Sequence, residues 1–368
     1  MIRSARMVFW PLAIAAMAAA PAALAQDAPP PRPTFKEDGT VQVPAFELPP
    51  SNLASEEIAQ GLRMASKLKG ITQTFPTDIA AVRKMMDGAL APMVAAMTSA
   101  YPTDMKEERI AGVPARVFTP KGKPFDRERV LINLHGGAFS QCFDSCSKLE
   151  SMPIASVGGF KVISLDYRQA PEFKHPAAVE DVAAVYKELL KTYRPKQIGI
   201  YGCSAGGALS GQAAAWFARD KVPQPGAIGI FGAGAAPFRW GDSAYIAGYV
   251  DGNFPPPAPG AEPGKNAAAF DKLTFGYFAG ADVKDPIISA ALHKDVIARF
   301  PPTLVITGSR AMDMSPAIYT NSALLAAGVE STLIVGESLG HCYIYGAGLP
   351  ESRDAYGIIS RFFKKHLG

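Results

Sequence analysis

The residue best suited to nucleophilic chemistry is a serine at a predicted turn between a strand and a helix. The stretch from Gln197 to Trp216 reads QIGIYGCSAGGALSGQAAAW. Its first half alternates like a short strand, and its second half is rich in alanine and free of proline, as in a helix. Ser204 lies at the turn, where flanking glycines allow a tight bend and the hydroxyl projects clear of the sheet. We therefore predict that Ser204 is a nucleophile.

A second copy of the Gly-x-Ser-x-Gly pattern runs from Gly336 to Gly340. The pattern alone is weak, because glycine and serine are common residues. Glycines and Pro350 follow Ser338 and prevent a helix, whereas the ten residues after Ser204 contain no proline. This context favours Ser204 as the nucleophile and assigns Ser338 to a loop.

A serine hydroxyl needs a base, and the usual base is a histidine that a carboxylate orients. The chain has five histidines, and only His341 follows a late predicted strand on a loop. Asp313 follows the preceding predicted strand in the same way, although Asp285 and Asp295 are competing acids. The order Ser204, Asp313, His341 is the chain order of α/β-hydrolase triads. We predict that these three residues are catalytic.

A glycine-rich loop, from His135 to Phe139, follows another predicted strand. Acyl transfer places negative charge on a carbonyl oxygen, and fixed backbone N–H groups stabilise that charge. The predicted donors of this oxyanion hole are the N–H groups of Gly136, Gly137, Ala138 and Ala205.

The side chains expected to contact a substrate are aromatic or apolar. Phe139 ends the glycine loop and Tyr343 follows His341, so both are predicted to bind substrate. Two helices are predicted between residues 51 and 105, and the second is rich in methionine. These methionines form either a soft wall over an apolar ligand or ordinary core. A long aromatic and proline-rich insertion at about 238–285 is predicted to be a lid.

From residue 106 to 368, predicted strands and helices alternate. This alternation indicates an α/β domain with a mostly parallel sheet and right-handed crossovers. Sites in such sheets lie at the carboxyl ends of the strands, which is where the candidate residues are predicted to lie.

The amino terminus is predicted to direct export. Residues 1–25 have a basic start, an apolar run and Ala23-Leu24-Ala25 before Gln26, as in a signal peptide. A proline-rich arm follows at residues 26–50. The mature protein is expected in the periplasm or outside the cell, with no membrane span after signal cleavage.

The composition excludes several partners. The formal net charge of +4 at pH 7 is too small to indicate nucleic acid or an anionic membrane. The four cysteines allow three pairings, and their spacing does not match a metal site. Cys203 and Cys342 flank predicted catalytic residues, so one hypothesis is that they form a disulfide between the two loops.

Several motifs together resemble the hormone-sensitive-lipase-like family of α/β-hydrolase esterases. They are HGGAF at His135–Phe139, DYRQAPE at Asp166–Glu172, HPAAVED at His175–Asp181, GCSAGG at Gly202–Gly207 and the acid-and-histidine region at Pro301–Cys342. The resemblance implies an α/β-hydrolase fold with an eight-stranded sheet, an N-terminal helical cap and broad esterase activity. It also implies that no metal or organic cofactor is needed.

The chain departs from the family pattern at three positions. Ala138 stands where the family has a third glycine, and Cys203 replaces an acidic or hydroxyl residue before the serine. Asp313 lies two residues after the commoner acid position, where Ala311 stands. These departures leave the choice of acid and the substrate range open.

The sequence therefore predicts an exported serine carboxylester hydrolase that cleaves short to medium acyl esters or lactones through an acyl-enzyme. The alternatives are action on amides or thioesters, or a catalytically silent ligand-binding protein. A dinucleotide-binding oxidoreductase is disfavoured, because Pro237 occupies the last glycine position of the only fitting motif. The expected partner is a small-molecule ester or lactone, and a homodimer is compatible with the sequence.

Overall fold

The structure of the protein is a computed structural model. It describes residues 32–68, 76–238, 240–247, 250 and 274–368. The predicted signal peptide, residues 26–31 of the predicted arm and residues 251–273 of the predicted lid lie outside the described residues.

The chain divides into two units, Met1–Pro49 and Pro50–Gly368. In the first unit, β1 (Thr34–Phe35) and β2 (Val41–Gln42) pair antiparallel through a short turn. Both short strands are exposed, so this hairpin contributes no core of its own.

The second unit is built on an eight-stranded sheet. The strands are β3 (Thr103–Ile110), β4 (Val113–Pro120), β5 (Asp126–Leu134), β6 (Phe160–Leu165), β7 (Ile198–Cys203), β8 (Ala227–Phe231), β9 (Thr303–Gly308) and β10 (Ser331–Gly336). Their order is β10-β9-β8-β7-β5-β6-β4-β3. The hairpin β3–β4 and the pair β4–β6 are antiparallel, and the other neighbours are parallel. The predicted eight-stranded, mostly parallel sheet is confirmed.

Helices cover both faces of the sheet. The described helices are α1 (Glu56–Leu68), α2 (Ile79–Ala100), α3 (Phe143–Gly158), α4 (Ala177–Leu189), α5 (Ala205–Asp220), α6 (Lys294–Ile297), α7 (Met314–Ala326) and α8 (Pro350–His366). Buried side chains of α4 and α5 form one core cluster, while those of α3 and α8 form the other. Among the described helices, none has the length and apolarity needed to cross a bilayer.

Helix α2 has two different halves. Near its start, the Arg83 guanidinium donates to the carbonyl oxygen of Ser140 at 2.8 Å and to the carboxylate of Glu172. Farther along, Met97 is fully buried in the core and Met93 packs against the same cluster. Of the two alternatives that the sequence left open for the methionines, these two residues therefore follow the second: they are ordinary core and do not form a wall over a ligand.

The parallel strands bring four loops to one edge of the sheet. Strands β5, β7, β9 and β10 run in the same direction and end before the glycine loop, Ser204, Asp313 and His341, respectively. The positions of β5, β7 and β9 are fixed by their apolar side chains in the core, because Leu131, Ile200 and Ile306 are each no more than 1% exposed. The core therefore determines where the four loops meet.

Candidate active site

Ser204 occupies a sharp turn between β7 and α5. Its backbone has φ 58° and ψ −122°, outside the regions that residues with a side chain prefer, and its N–H donates to the carbonyl oxygen of Phe231 at 2.8 Å. The glycines beside it are sterically required. A Cβ on Gly202 or Gly206 would lie 2.0 Å or 1.6 Å from the carbonyl oxygen of Leu134. The close passage of β5 therefore explains why the motif needs both glycines.

The structure brings together the three residues predicted to be catalytic. His341 Nε2 lies 2.9 Å from Ser204 Oγ, and His341 Nδ1 lies 2.6 Å from Asp313 Oδ1. The Asp313 side chain is fully buried, and Thr307 Oγ1 donates to its second oxygen, Oδ2, at 2.6 Å. With Nδ1–H donating to Asp313, Nε2 is left as the acceptor that faces the serine hydroxyl.

The competing acid Asp285 has a different environment. The Asp285 carboxylate accepts a hydrogen bond from the N–H of Ile287 at 2.7 Å and caps a local turn. Asp313, not Asp285, is the carboxylate hydrogen-bonded to His341. The sequence analysis did not identify Thr307, although a hydroxyl side chain next to the end of the strand that precedes the acid was an available signal.

The glycine loop has an unusual backbone. Gly137, Ala138 and Phe139 have φ values of 115°, 53° and 59°, so three consecutive residues adopt positive φ. Ala138 carries a Cβ in this left-handed region, which costs on the order of 1 kcal/mol. The N–H groups of Gly137, Ala138 and Ala205 donate to no acceptor among the described residues, so they are available for an oxyanion.

The prediction that the N–H of Gly136 is an oxyanion donor is wrong. The N–H of Gly136 donates to Glu150 Oε1 at 2.8 Å, so it is already used within the protein. The predicted set of donors therefore reduces to Gly137, Ala138 and Ala205.

The two predicted substrate-binding aromatic residues lie in different surroundings. The Phe139 ring is 3% exposed and stacks on Tyr277 at a centroid distance of 4.7 Å, so the structure places it in the core instead of against a substrate. Burial, with the negative charges of Glu351 and Asp354, raises the pKa of Tyr343 to about 12. The Tyr343 ring packs against the core cluster of α3 and α8, and its Cε1 would lie 3.2 Å from a Cβ on Gly336.

The first residue of the predicted lid, Phe238, contacts His341. The Phe238 ring lies edge-on to the His341 ring, with 6.0 Å between centroids. Farther along, Ser243 Oγ donates to the carbonyl oxygen of Met312 at 2.8 Å and accepts from the N–H of Ser315 at 2.8 Å. The described start of the insertion is therefore attached to the loop that carries Asp313.

Glu150 is a second buried carboxylate at the site, and sequence reasoning missed it. It is 1% exposed and accepts hydrogen bonds from Gly136, Asn133, Cys203 and Tyr345. Burial raises its pKa to about 7, and the four donors oppose that rise. A glutamate in the middle of an otherwise buried helix was the available signal.

His135 binds the backbone of the glycine loop. Its Nδ1 lies 2.6 Å from the carbonyl oxygen of Gly136, and its ring stacks on Tyr167 at 4.4 Å. Burial lowers the pKa of His135 to about 4, so the ring is neutral near pH 7. A neutral ring must hold its proton on Nδ1 to donate to that carbonyl.

Both cysteine pairs form disulfides. Cys203 is bonded to Cys342 with a Cα–Cα distance of 6.1 Å, which confirms the hypothesis that the serine and histidine loops are covalently connected. Cys142 is bonded to Cys146 at the start of α3, with a Cα–Cα distance of 5.3 Å. No grouping of metal-binding side chains suited to an ion occurs in the described parts of the chain.

Comparison with known proteins places these features in a family. A family model described as alpha/beta hydrolase fold matches residues 131–345. The acetyl-hydrolase of Streptomyces hygroscopicus is 28% identical over 242 residues, which cover 65% of this chain and 77% of the relative. Arylacetamide deacetylase of Oryctolagus cuniculus is 33% identical over 134 residues, and the match covers 33% of each chain.

Solved structures show the same similarity over a longer range. The crystal structure of an esterase has a TM-score of 0.75 and 26% identity, covering 89% of this chain and 99% of its own. The crystal structure of an esterase from the bacterial hormone-sensitive lipase family has a TM-score of 0.73 and 25% identity, covering 85% and 99%, respectively.

Proposed function

The chain belongs to the hormone-sensitive-lipase-like α/β-hydrolases and is an ester-hydrolysing member of them. From this premise we propose that the protein is an exported serine carboxylesterase, which works through an acyl-enzyme on Ser204. Its substrates are short to medium acyl esters or lactones. The observation that carries the proposal is the continuous hydrogen-bonded chain from Ser204 Oγ through His341 to Asp313, with distances of 2.9 Å and 2.6 Å.

Acylation begins at the serine hydroxyl. His341 Nε2 accepts the proton of Ser204 while Oγ attacks the ester carbonyl carbon. Asp313 holds the ring through Nδ1 and stabilises the imidazolium that forms. The carbonyl oxygen becomes an oxyanion that the N–H groups of Gly137, Ala138 and Ala205 stabilise. His341 then returns the proton to the leaving alcohol, and the acyl group stays on Ser204.

Deacylation repeats the same steps with water. His341 Nε2 takes a proton from a water molecule, which attacks the acyl-enzyme carbonyl, and the carboxylic acid leaves as Ser204 recovers its proton. The hydrogen bond from Thr307 to Asp313 supports the role of Asp313 in holding the His341 ring, because this bond occupies the carboxylate oxygen that does not face His341.

The aromatic surroundings of His341 support an apolar acyl substrate. Phe238 lies edge-on to the histidine ring, and such rings favour apolar groups over charged ones. The acetyl-hydrolase relative supports the short end of the acyl range.

Export is supported by the cysteine chemistry together with the sequence of residues 1–25. Both cysteine pairs are disulfides, and disulfides persist in oxidising compartments such as the periplasm. Expression with and without residues 1–25, followed by fractionation and sequencing of the mature amino terminus, tests this part of the proposal. A full-length protein that retains its first residues in the cytoplasm would contradict it.

The catalytic proposal is tested with a substrate panel and a covalent probe. We expect hydrolysis of p-nitrophenyl acetate and butyrate to exceed that of the dodecanoate, with γ- and δ-lactones measured in parallel. A fluorophosphonate should modify one residue, which peptide mass spectrometry should locate at Ser204. An unlabelled protein that turns over no ester would contradict the proposal.

Amide hydrolysis is a second candidate activity, because arylacetamide deacetylase is among the relatives. The same acyl-enzyme forms from an amide, but His341 must then protonate a poorer leaving group. The rate ratio of p-nitrophenyl acetate to p-nitroacetanilide decides between the two. A ratio below one would favour the amidase.

A further inference from the structure

A buried carboxylate requires an explanation, because removing a charge from water is costly unless hydrogen bonds compensate for it. Glu150 lies in α3 and is 1% exposed. It is not among the three residues of the proposed catalytic chain. Its hydrogen-bond partners therefore indicate what it does.

Four donors surround the Glu150 carboxylate, two on each oxygen. Oε1 accepts from the N–H of Gly136 at 2.8 Å and from the hydroxyl of Tyr345 at 2.6 Å. Oε2 accepts from Asn133 Nδ2 at 2.9 Å and from the N–H of Cys203 at 3.1 Å. An ionised carboxylate, which only accepts, satisfies all four donors at once.

Three of the four donors come from the three loops that carry the proposed chemistry, and the fourth, Asn133, lies near the end of β5. Gly136 begins the oxyanion loop, Cys203 immediately precedes Ser204, and Tyr345 follows His341 on its loop. A Cβ on Gly136 would lie 2.7 Å from the Tyr345 hydroxyl and 3.1 Å from the Cys203 carbonyl oxygen. The three loops therefore approach one another around this carboxylate.

We propose that Glu150 is a positioning residue that holds the oxyanion loop in register with Ser204. This inference rests on the proposed esterase function. Glu150 acts through the backbone of Gly136 and Cys203 and does not touch the substrate.

Peptide geometry explains how the anchoring reaches the oxyanion. In a trans peptide the N–H points opposite to the carbonyl of the same plane. The Gly136 carbonyl is held by His135 Nδ1 at 2.6 Å, which directs the Gly137 N–H the other way. Glu150 holds the N–H on the other side of Gly136, so the peptide that presents the first oxyanion donor is fixed from both sides. An oxyanion hole depends on such fixed donors.

The orientation of Asn133 is also determined. Ser164 Oγ donates to Asn133 Oδ1 at 2.7 Å, which leaves the NH₂ group to face Glu150. The titratable groups that interact with Glu150 are Tyr167, Tyr201 and Tyr345, and burial raises the pKa of each well above 10. These tyrosines are neutral near pH 7, so Glu150 is the member of the network that gains or loses a proton near that pH.

The main test is Glu150→Gln, which keeps the shape and replaces one acceptor oxygen by an NH₂ donor. Whichever way the amide turns, the N–H of either Gly136 or Cys203 then faces another donor. We expect kcat for p-nitrophenyl butyrate to fall about 10- to 100-fold, with KM changed less than about two-fold, because ground-state binding does not need the oxyanion hole. The matched control is Glu188→Gln, a half-exposed position on α4 where the side chain pairs with Lys191, for which kcat should not change. An unchanged kcat in folded E150Q overturns the proposal.

Two further variants keep the test decisive if E150Q does not fold. Tyr345→Phe removes a donor to Oε1 and Asn133→Ala removes a donor to Oε2, and each leaves both backbone hydrogen bonds in place. Each donor lowers the pKa of Glu150, so its loss should move the acid limb of the kcat–pH profile to higher pH in both variants. An unmoved limb in both, or a shift in Y345F alone, overturns the proposal, since the effect would then lie elsewhere.

Failure of this inference can be separated from failure of the proposed function. Fluorophosphonate labelling of wild-type Ser204 tests the function alone. Absence of that label rejects the function and the role of Glu150 with it. Normal labelling of the wild type, with unaltered kinetics in E150Q, rejects only the role of Glu150.

Discussion

Two turns in this protein have the same Gly-x-Ser-x-Gly spacing, one around Ser204 and one around Ser338. Each follows a parallel strand, β7 in the first case and β10 in the second. The two serines also share a positive φ, with values of 58° and 59°. The spacing of glycines therefore predicts a tight turn after a strand equally well at both places.

The surroundings of the two serines differ. Ser204 precedes the 16-residue helix α5, and its hydroxyl faces His341. Ser338 is 3% exposed, its N–H donates to Ser309 Oγ at 2.8 Å, and its hydroxyl finds no hydrogen-bond partner in the described portion of the chain. The second turn instead leads directly to His341. The motif therefore builds a turn, and the residues that face the serine decide whether its hydroxyl can react.

The largest expected effect separates the two serines directly. Ser204→Ala removes the nucleophile, so kcat for p-nitrophenyl butyrate should fall about 10⁴-fold or more. Ser338→Ala is the matched control and should retain kcat within about three-fold, because its hydroxyl contacts no reacting group. Steady-state kinetics of both purified variants checks this. Equal losses in the two would show that the second turn also takes part in the reaction.

The next effect concerns the carboxylate that orients the histidine after the second turn. Asp313→Asn should lower kcat by about 10⁴-fold, because the amide no longer holds His341 in the tautomer that accepts from Ser204. Asp285→Asn should lower kcat less than about three-fold. The measurement is the hydrolysis rate at saturating ester. If Asp285→Asn is the damaging change, the acid has been assigned to the wrong residue.

The disulfide between the two turns should contribute more stability than the local one. Cys203–Cys342 spans a sequence separation of 139 residues and Cys142–Cys146 spans 4. Chain entropy alone predicts losses of about 5 and about 2 kcal/mol in the free energy of unfolding for the two double alanine variants. Urea unfolding followed by tryptophan fluorescence measures both. A larger loss from C142A/C146A would contradict this account.

The smallest effect distinguishes the glycines of the two turns. A Cβ on Gly206 meets the Leu134 carbonyl oxygen at 1.6 Å, whereas one on Gly336 meets the end of the Leu339 side chain at 2.4 Å. Backbone cannot move aside as a side chain can, so Gly206→Ala should cost about 3 kcal/mol of unfolding free energy and Gly336→Ala about 1 kcal/mol. Urea midpoints at constant slope check the difference. Similar costs would show that both turns relax equally.

Much of the fold could be predicted from the chain because its signals are local. Alternating apolar residues near Ile200, followed by an alanine-rich segment, identify a strand and a helix without reference to the rest of the protein. The choice of Ser204 over Ser338 was also local, since it depended on the residues that follow each serine. His341 and Asp313 required only the further assumption that strand ends lie at one edge of the sheet.

The predictions that failed concern atoms that distant segments supply. Gly136 was assigned to the oxyanion hole, but its N–H donates to Glu150, a residue of α3. Phe139 was assigned to substrate binding, but Tyr277 covers its ring. Neither partner is near its target in the sequence, and no periodic pattern indicates which donor meets which acceptor.

The sequence by itself determined the alternation of strands and helices and the identity of the proposed nucleophile and base, because strand and helix periods and turn glycines act over a few residues. It favoured Asp313 as the acid but left Asp285 and Asp295 as competitors. The tertiary structure decided which turn received a partner. It placed His341 against Ser204, connected Cys203 to Cys342, and used Glu150 to join the loops around both. Hydrogen bonds and disulfides act only over a few ångströms, so these pairings exist only after the core has brought remote segments together.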